Sequence, residues 1–382
     1  TKDFEITRAN LTLKVSNDEI TYGQQDPTIL YSGSSYITYE ETQLKNGDEI
    51  NDIGISFIYA SNYEQGNDAS SYDIYLSAYE NDTGILENYN LTIIRGTLVV
   101  NKMKIDAIVD IDNQSYSYDG DNIYRGDVSG ATATPSEKYA DDIIQFTYQY
   151  SGLDYSSEVA PINAGEYNVT VNLSGNSAIN YELSETIATF TITRVNLNIT
   201  IKNAEITFGD EDSTLSYNDA TYLSFDETEL QGNDEIDSIG LEFVYTSNYE
   251  QGDDVSEYKI YLGTYGENDV VNANITNYSL SINVGTLIVN KKHITATIDV
   301  NNQSFVYDGN NIYLASSAGA SATPSWSFDG EVLSFTYTYK GTGETTYEES
   351  ETAPTEVGTY SVSVILTPDS NSDKNYAFDG ET

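Results

Sequence analysis

The feature that most constrains this chain is that it repeats itself. Ser61-Asn62-Tyr63-Glu64-Gln65-Gly66 recurs unchanged as Ser247-Asn248-Tyr249-Glu250-Gln251-Gly252. Asn113-Gln114-Ser115-Tyr116-Ser117-Tyr118-Asp119-Gly120 recurs as Asn302-Gln303-Ser304-Phe305-Val306-Tyr307-Asp308-Gly309. The chain is therefore a duplicated pair, and each half divides again. Tyr22-Gly23, Tyr72 and Asn88-Tyr89 line up with Tyr118-Asp119-Gly120, Tyr167 and Asn180-Tyr181. At Thr7-Arg8, Asn101-Lys102, Thr193-Arg194 and Asn290-Lys291 one alternating strand ends and another begins almost at once. These marks predict four modules, 9–102, 103–194, 195–291 and 292–382, behind a short lead segment, 1–8.

Within a module the apolar period is two. Leu11-Thr12-Leu13-Lys14-Val15, Ile55-Ser56-Phe57-Ile58-Tyr59, Tyr72-Asp73-Ile74-Tyr75-Leu76 and Thr97-Leu98-Val99-Val100 read as strands bounded by Gly, Asn and Asp. No stretch sustains a helical period. About 95 residues holding several such strands is the size of an immunoglobulin-type sandwich. The fold class expected is thus all-β, with tandem immunoglobulin-like β-sandwich modules arranged as an elongated rod. Junctions of two or three residues leave little linker freedom.

The chain carries 61 acidic residues against 16 Lys plus Arg, a net charge of −45 at pH 7. No stretch is basic enough to hold phosphates, which excludes nucleic acid as a partner. Disorder, the other reading of so acidic a chain, is excluded by 34 Tyr, 11 Phe and many β-branched residues. With no Cys there is no disulfide, thiol nucleophile or thiolate metal site. A secreted animal domain of this kind would be expected to carry disulfides, so their absence points to a bacterial surface protein. No apolar run is long enough to span a membrane, and Thr1 and Thr382 show neither signal peptide nor sorting motif, so the chain reads as an internal piece of something larger.

The modules resemble two related bacterial immunoglobulin-like repeats, the MBG and YDG domains. Tyr22-Gly23-Gln24-Gln25-Asp26-Pro27 carries the MBG resemblance, and Phe208-Gly209-Asp210-Glu211-Asp212-Ser213 departs from it by losing the Tyr and the Pro. Tyr118-Asp119-Gly120 with Ala133-Thr134-Pro135 and Ala160-Pro161 is similar to the YDG pattern, as is Tyr307-Asp308-Gly309 with Ala322-Thr323-Pro324 and Ala353-Pro354. The resemblance implies tandem repeats of large surface proteins and adhesins, acting mainly as spacers.

Nothing in the sequence nominates a catalytic residue. Asp-Gly after an aromatic strand end reads first as a turn. The acidic loops containing Asp48, Glu49 and Asp52, and their repeats Asp234, Glu235 and Asp237, offer oxygen ligands to Ca²⁺, the one cofactor left open, yet lack the twelve-residue calcium-loop spacing. Lysines do not recur at equivalent strand positions, which argues against internal isopeptide cross-links. Instead Arg8, Lys102, Lys104, Arg194, Lys291 and Lys292 gather at the junctions, where they are expected to pair with acidic loops of the neighbouring module. His293 is the single histidine and Trp326 the single tryptophan; both read as surface or loop-anchoring residues.

Asp3-Phe4-Glu5-Ile6-Thr7-Arg8 matches Thr189-Phe190-Thr191-Ile192-Thr193-Arg194, the closing strand of module two, while module four lacks such a strand. Phe4 and Ile6 are therefore the expected core residues of an inter-subunit strand, supplied by the next repeat of a covalent array or donated by a separate subunit. The reading is a non-enzymatic segment of an extracellular repetitive fibre or adhesin stalk at a bacterial cell surface. Its partners are identical copies or neighbouring repeats, with a distal ligand that the sequence does not name. The alternative is an adhesive module binding carbohydrate or protein on a host or neighbouring cell.

Overall fold

The structure, a computed structural model, describes residues 1–78, 84–314, 317–368 and 370–381. It forms two compact units, Thr1–Ser117 with Asp121–Thr193, and Tyr118–Gly120 with Arg194–Thr382. Each unit thus holds most of two sequence modules. Described strands dominate, and helices are single short turns.

In the first unit, residues 9–102 make two sheets. Ala9–Val15 lies between Ile37–Thr38 and Tyr89–Ile94, and Gly96–Asn101 lies between Asp18–Thr21 and Ser71–Ala78, with Ile58–Ser61 at the far edge. The alternation of Leu11-Thr12-Leu13-Lys14-Val15 dictates this. Leu11, Leu13 and Val15 are fully buried, Lys14 faces solvent, and a strand with one apolar face must cover that face with a second sheet. The opening and closing strands both change sheets at one place, near Ser16 and Arg95. There a Cβ on Gly96 would lie 2.3 Å from the Ser16 carbonyl oxygen, so only glycine allows the two chains to pass. Asn17 fixes the crossing, its side chain accepting the Thr97 N–H at 2.9 Å.

Opening and closing strands run parallel throughout: Ala9–Val15 beside Tyr89–Ile94, and Asp18–Thr21 beside Gly96–Asn101. Residues 103–193 keep this pattern, Met103–Ile105 pairing with Tyr181–Leu183 and Gln114–Ser117 with Thr186–Thr193. Thr186–Thr193 is the second strand of a five-stranded sheet completed by Gly165–Ser174, Gln145–Gly152 and Tyr155–Ser157. Its Phe190 is buried against Tyr116, Tyr124, Tyr150 and Tyr167, and Ile192 is buried beside it in sequence.

In the second unit, residues 195–291 repeat the first design. Val195–Ile201 lies parallel to Tyr278–Asn283 and Ala204–Thr207 parallel to Gly285–Asn290. The crossing recurs at Gly285, where a Cβ would meet the Lys202 carbonyl oxygen at 2.5 Å, and Asn203 accepts the Thr286 N–H at 2.9 Å. Among the described residues, 292–381 form a sheet of Ala322–Pro324, Lys292–Ile298 and Tyr376–Glu381 and two sheets of two strands each, Phe335–Gly341 with Tyr360–Leu366 and Ile312–Leu314 with Ser317–Ala318. Phe305 stacks on Tyr313 as Tyr116 stacks on Tyr124, but Phe305 and Val306 are exposed and Val362 is half-buried where its counterpart Val169 is fully buried.

One strand expectation needs correcting. The run Ile55–Tyr59 is not a strand until Ile58, where Ile58–Ser61 begins. Ile53 and Ile55 are buried from turns and irregular chain instead, so the alternation there records burial rather than ladder pairing.

Candidate module-joining site

The same turn is built four times. Lys45–Asp48, Tyr139–Asp142, Gln231–Asp234 and Phe328–Glu331 are each closed by the N–H of the last residue donating to the carbonyl of the first, at 2.9, 3.0, 3.0 and 2.9 Å. The second residue is left-handed in every case, with φ of 55° at Asn46, 46° at Ala140, 61° at Gly232 and 45° at Asp329. Such backbone persists only where its surroundings hold it.

A buried tyrosine does so. The hydroxyls of Tyr89, Tyr181, Tyr278 and Tyr376 accept the N–H of the first turn residue at 2.8, 2.9, 2.9 and 2.9 Å. Three of them donate to the acid that closes the turn: Tyr89 to Asp48 at 2.8 Å, Tyr181 to Asp142 at 2.5 Å and Tyr278 to Asp234 at 2.7 Å. Tyr376 bonds Glu331 in the same way. These are the second residues of the Asn-Tyr turns seen in the sequence. Their bond to the carboxylates links segments far apart in the chain, and only its fourfold recurrence could have revealed it.

Onto three of these turns an aromatic from the preceding sequence module docks. In the first unit Tyr22 lies edge-on to Tyr139 and Tyr181, with ring centroids 5.5 Å from each, and donates its hydroxyl to the same Asp142 oxygen at 2.9 Å. In the second unit Tyr118 does this at Asp234, at 2.9 Å, beside Tyr278 at 5.8 Å. Phe208 packs on Phe328 and Tyr376 at 5.7 and 5.3 Å, and lacking a hydroxyl it makes no bond to Glu331. The loss of the tyrosine in Phe208-Gly209 is thus matched by a more apolar partner. Trp326 completes that partner, packing against Gly209 and near Tyr376, with the Lys292 ammonium 5.0 Å from its ring centroid. The expectation that Trp326 anchors a loop describes this position.

The repeated hexapeptide holds the docking loop. Ser61 donates to Asp26 at 2.7 Å, Tyr63 to the Gln24 carbonyl at 2.9 Å and Gln65 to the Gly23 carbonyl at 2.7 Å. Ser247, Tyr249 and Gln251 make the equivalent bonds to Asp212, Asp210 and Gly209. A second tie comes from the Asn of the Asn-Tyr pair. Asn180 accepts the Ala69 N–H at 2.8 Å and donates to Asp68 at 2.9 Å, while Asn375 accepts the Val255 N–H and donates to Asp254, both at 2.9 Å. The junction cations mostly take backbone carbonyls. Lys102 donates to Ala178 at 2.5 Å and Arg194 to Ile275 and Thr276 at 3.1 and 3.2 Å, whereas Lys291 meets both the carbonyl and the carboxylate of Asp373.

Burial and the acceptor carboxylates raise these phenols. Desolvation first, then the hydrogen bond to Asp142 or Asp234, pushes Tyr181 and Tyr118 up to about 12, and the same causes raise Tyr22 and Tyr278 further. A group whose pKa is higher in the folded state contributes stability below its unfolded value, near 10, and loses it as pH rises through the folded value. Base titration should therefore show a set of phenols whose ionisation lags at pH 10–12 and then appears together with loss of the β-sheet signal. Simple ionisation of every tyrosine near pH 10 with the fold intact would contradict this.

The proposed calcium ligands are placed differently from one another. Asp48 and Asp234 face tyrosine hydroxyls, Glu49, Asp52, Glu235 and Asp237 are exposed, and among the described residues no group of three or more His, Asp or Glu is arranged to hold a metal ion. His293 is exposed and 2.8 Å from Asp379. Gly120 and Gly309 have φ of 87° and 80°, as the turn reading of Tyr-Asp-Gly requires. Phe4 and Ile6 are each 87% exposed, and residues 1–8 form no strand. A shallow depression on one sheet of the second unit is lined by Asn196, Asn198, Asn272, Asn274, Ser279 and Ser281, without an aromatic ring. No described helix is long and apolar enough to cross a membrane.

No curated protein matches the chain. Among solved structures it is similar to "Protocadherin gammaB7 EC3-6 cis-dimer structure" at 9% identity, over 94% of this chain and 96% of that one, with a TM-score of 0.22. Residues 11–99 match the family described as "MBG domain (YGX type)". The Tyr22-Gly23 turn and most of the two sheets around it lie within that match, so residues 11–99 of this chain form an MBG domain of the YGX type.

Proposed function

We propose that the chain is a non-catalytic structural segment of a repetitive extracellular fibre or adhesin stalk, four modules joined end to end and continued by neighbouring repeats or identical copies. The recurrent joint carries this reading: the residues that repeat most faithfully hold one module against the next, and none is arranged for chemistry. Ca²⁺, if it binds the acidic loops at all, would stiffen them and serve no chemistry.

In this reading a strand equivalent to Asp3–Arg8 completes module four, as the next part of a covalent array or donated by a separate subunit. Phe4 and Ile6 have the spacing of Phe190 and Ile192, and the exposure of Phe305 and half-burial of Tyr360 and Val362 support this reading. Burying two such side chains contributes about 3–6 kcal/mol before ordering costs. The test adds a peptide of residues 1–8 to the full chain carrying Phe4→Asp and Ile6→Asp. The expected result is slowed hydrogen exchange at Tyr360–Leu366 and a higher Tm, with no effect from a peptide carrying the same two substitutions. Equal exchange with both peptides would overturn strand completion.

A further inference from the structure

We infer that Tyr307-Asp308-Gly309 is a docking element for a second copy of this chain, and that it seats on the Lys45–Asp48 turn and Tyr89 of that copy. The inference rests on the reading that repeats follow one another end to end, and it names the contact that aligns them. Of the four aromatic docking elements, Tyr22, Tyr118 and Phe208 are buried on a turn within this chain, whereas Tyr307 is 59% exposed against 4% for Tyr118. Of the four turns, Tyr139–Asp142, Gln231–Asp234 and Phe328–Glu331 carry an aromatic from elsewhere in the chain. Lys45–Asp48 is built like them, with Tyr89 already bonded to the Lys45 N–H and the Asp48 carboxylate. One docking element and one turn thus remain, and they belong to opposite ends of the four-module sequence. A closed ring of contacts within one chain is not needed; copies in series satisfy both.

The chemistry matches the contact made by Tyr118. That tyrosine donates to the acid that already accepts from Tyr278, and Asp48 offers the same oxygen to Tyr307 beside Tyr89. Lys45 replaces Gln231 at the first turn position, and its ammonium group donates to the Thr42 carbonyl at 2.6 Å. One turn residue differs. Gly120 packs so closely on Gly232 that a Cβ on the latter would lie 3.0 Å from the Gly120 Cα, and the first module has Asn46 there. The incoming Gly309 must then sit a few tenths of an ångström farther out. Asn46→Gly, at a φ of 55° that glycine adopts freely, should therefore tighten the contact.

The chain has no cysteine, so two introduced thiols report on this contact alone. Full-length chains carrying Asp308→Cys and Asn46→Cys are mixed in equal amounts and oxidised. The expected result is mixed disulfide dimers in excess of the statistical ratio to the two homodimers, reduced at least about tenfold when Tyr307→Ala is added to the first chain. In parallel, Asn46→Gly in the otherwise unaltered chain should raise self-association in sedimentation. A statistical ratio, or an excess that Tyr307→Ala leaves unchanged, would overturn the inference. Repeating the cross-linking with Phe4→Asp and Ile6→Asp separates the two readings: cross-links that persist there while the peptide fails to protect Tyr360–Leu366 uphold the docking contact and sink strand completion. A statistical ratio alongside peptide protection does the reverse.

Discussion

Tyr181→Ala should lower the stability of the first unit by about 3–5 kcal/mol, the range for removing a large buried aromatic. The ring is 2% exposed and belongs to the same apolar cluster as Leu11, Leu13, Leu98 and Ile105, so its loss opens a cavity reaching both modules of that unit. It also strands the Tyr139 N–H and leaves Asp142 with one phenol donor in place of two. Tyr181→Phe, which keeps the ring, should cost about 1–3 kcal/mol for the unmade bonds alone. Denaturant unfolding of both variants checks this, and a loss below about 1.5 kcal/mol for the alanine variant would mean that the joint adds little to the fold.

Gly96→Ala is expected to cost about 2–4 kcal/mol, because a Cβ 2.3 Å from a backbone oxygen can be relieved only by moving one of two strands fixed in different sheets. Gly285→Ala should behave alike in the second unit. Gly33→Ala is the control: nothing lies within 4 Å of its Cβ position, and its φ of 67° alone costs about 1 kcal/mol. Comparable losses at Gly33 and Gly96 would show that the crossing tolerates displacement.

The strands were legible wherever one face is buried and the other wet. Leu11–Val15, Tyr72–Leu76 and Thr97–Val100 all lie inside observed strands because alternation and ladder pairing coincide there. They part company at Ile53 and Ile55, which fill the core from irregular chain, and sequence periodicity has no means of telling the two apart. The joint was half legible. The Asn-Tyr turns and the Tyr-Gly and Tyr-Asp-Gly turns were visible as recurrences, but a carboxylate reads the same in sequence whether it will accept from a phenol or ligate a cation. In the sequence Asp48 and Asp234 are only candidate oxygen ligands; in the fold they accept from Tyr89 and Tyr278, and Asp142 and Glu331, which hold the same position in the other two modules, carry no mark in the sequence that sets them apart. Trp326 has no counterpart at Glu137, and its packing on Gly209 beside Phe328 joins segments more than a hundred residues apart, which one sequence does not display.

The parallel pairing of opening and closing strands has a mechanical meaning. When a module is pulled by its two ends, tension enters along Asp18–Thr21 or Ala9–Val15 and leaves along Gly96–Asn101 or Tyr89–Ile94, in opposite directions on neighbouring strands. The hydrogen bonds between such strands lie across the load and must yield together, in shear, instead of opening one after another as a hairpin peeled from its end would. Val195–Ile201 with Tyr278–Asn283 and Lys292–Ile298 with Tyr376–Glu381 repeat the arrangement, so a pull along the chain meets the same clamp in module after module.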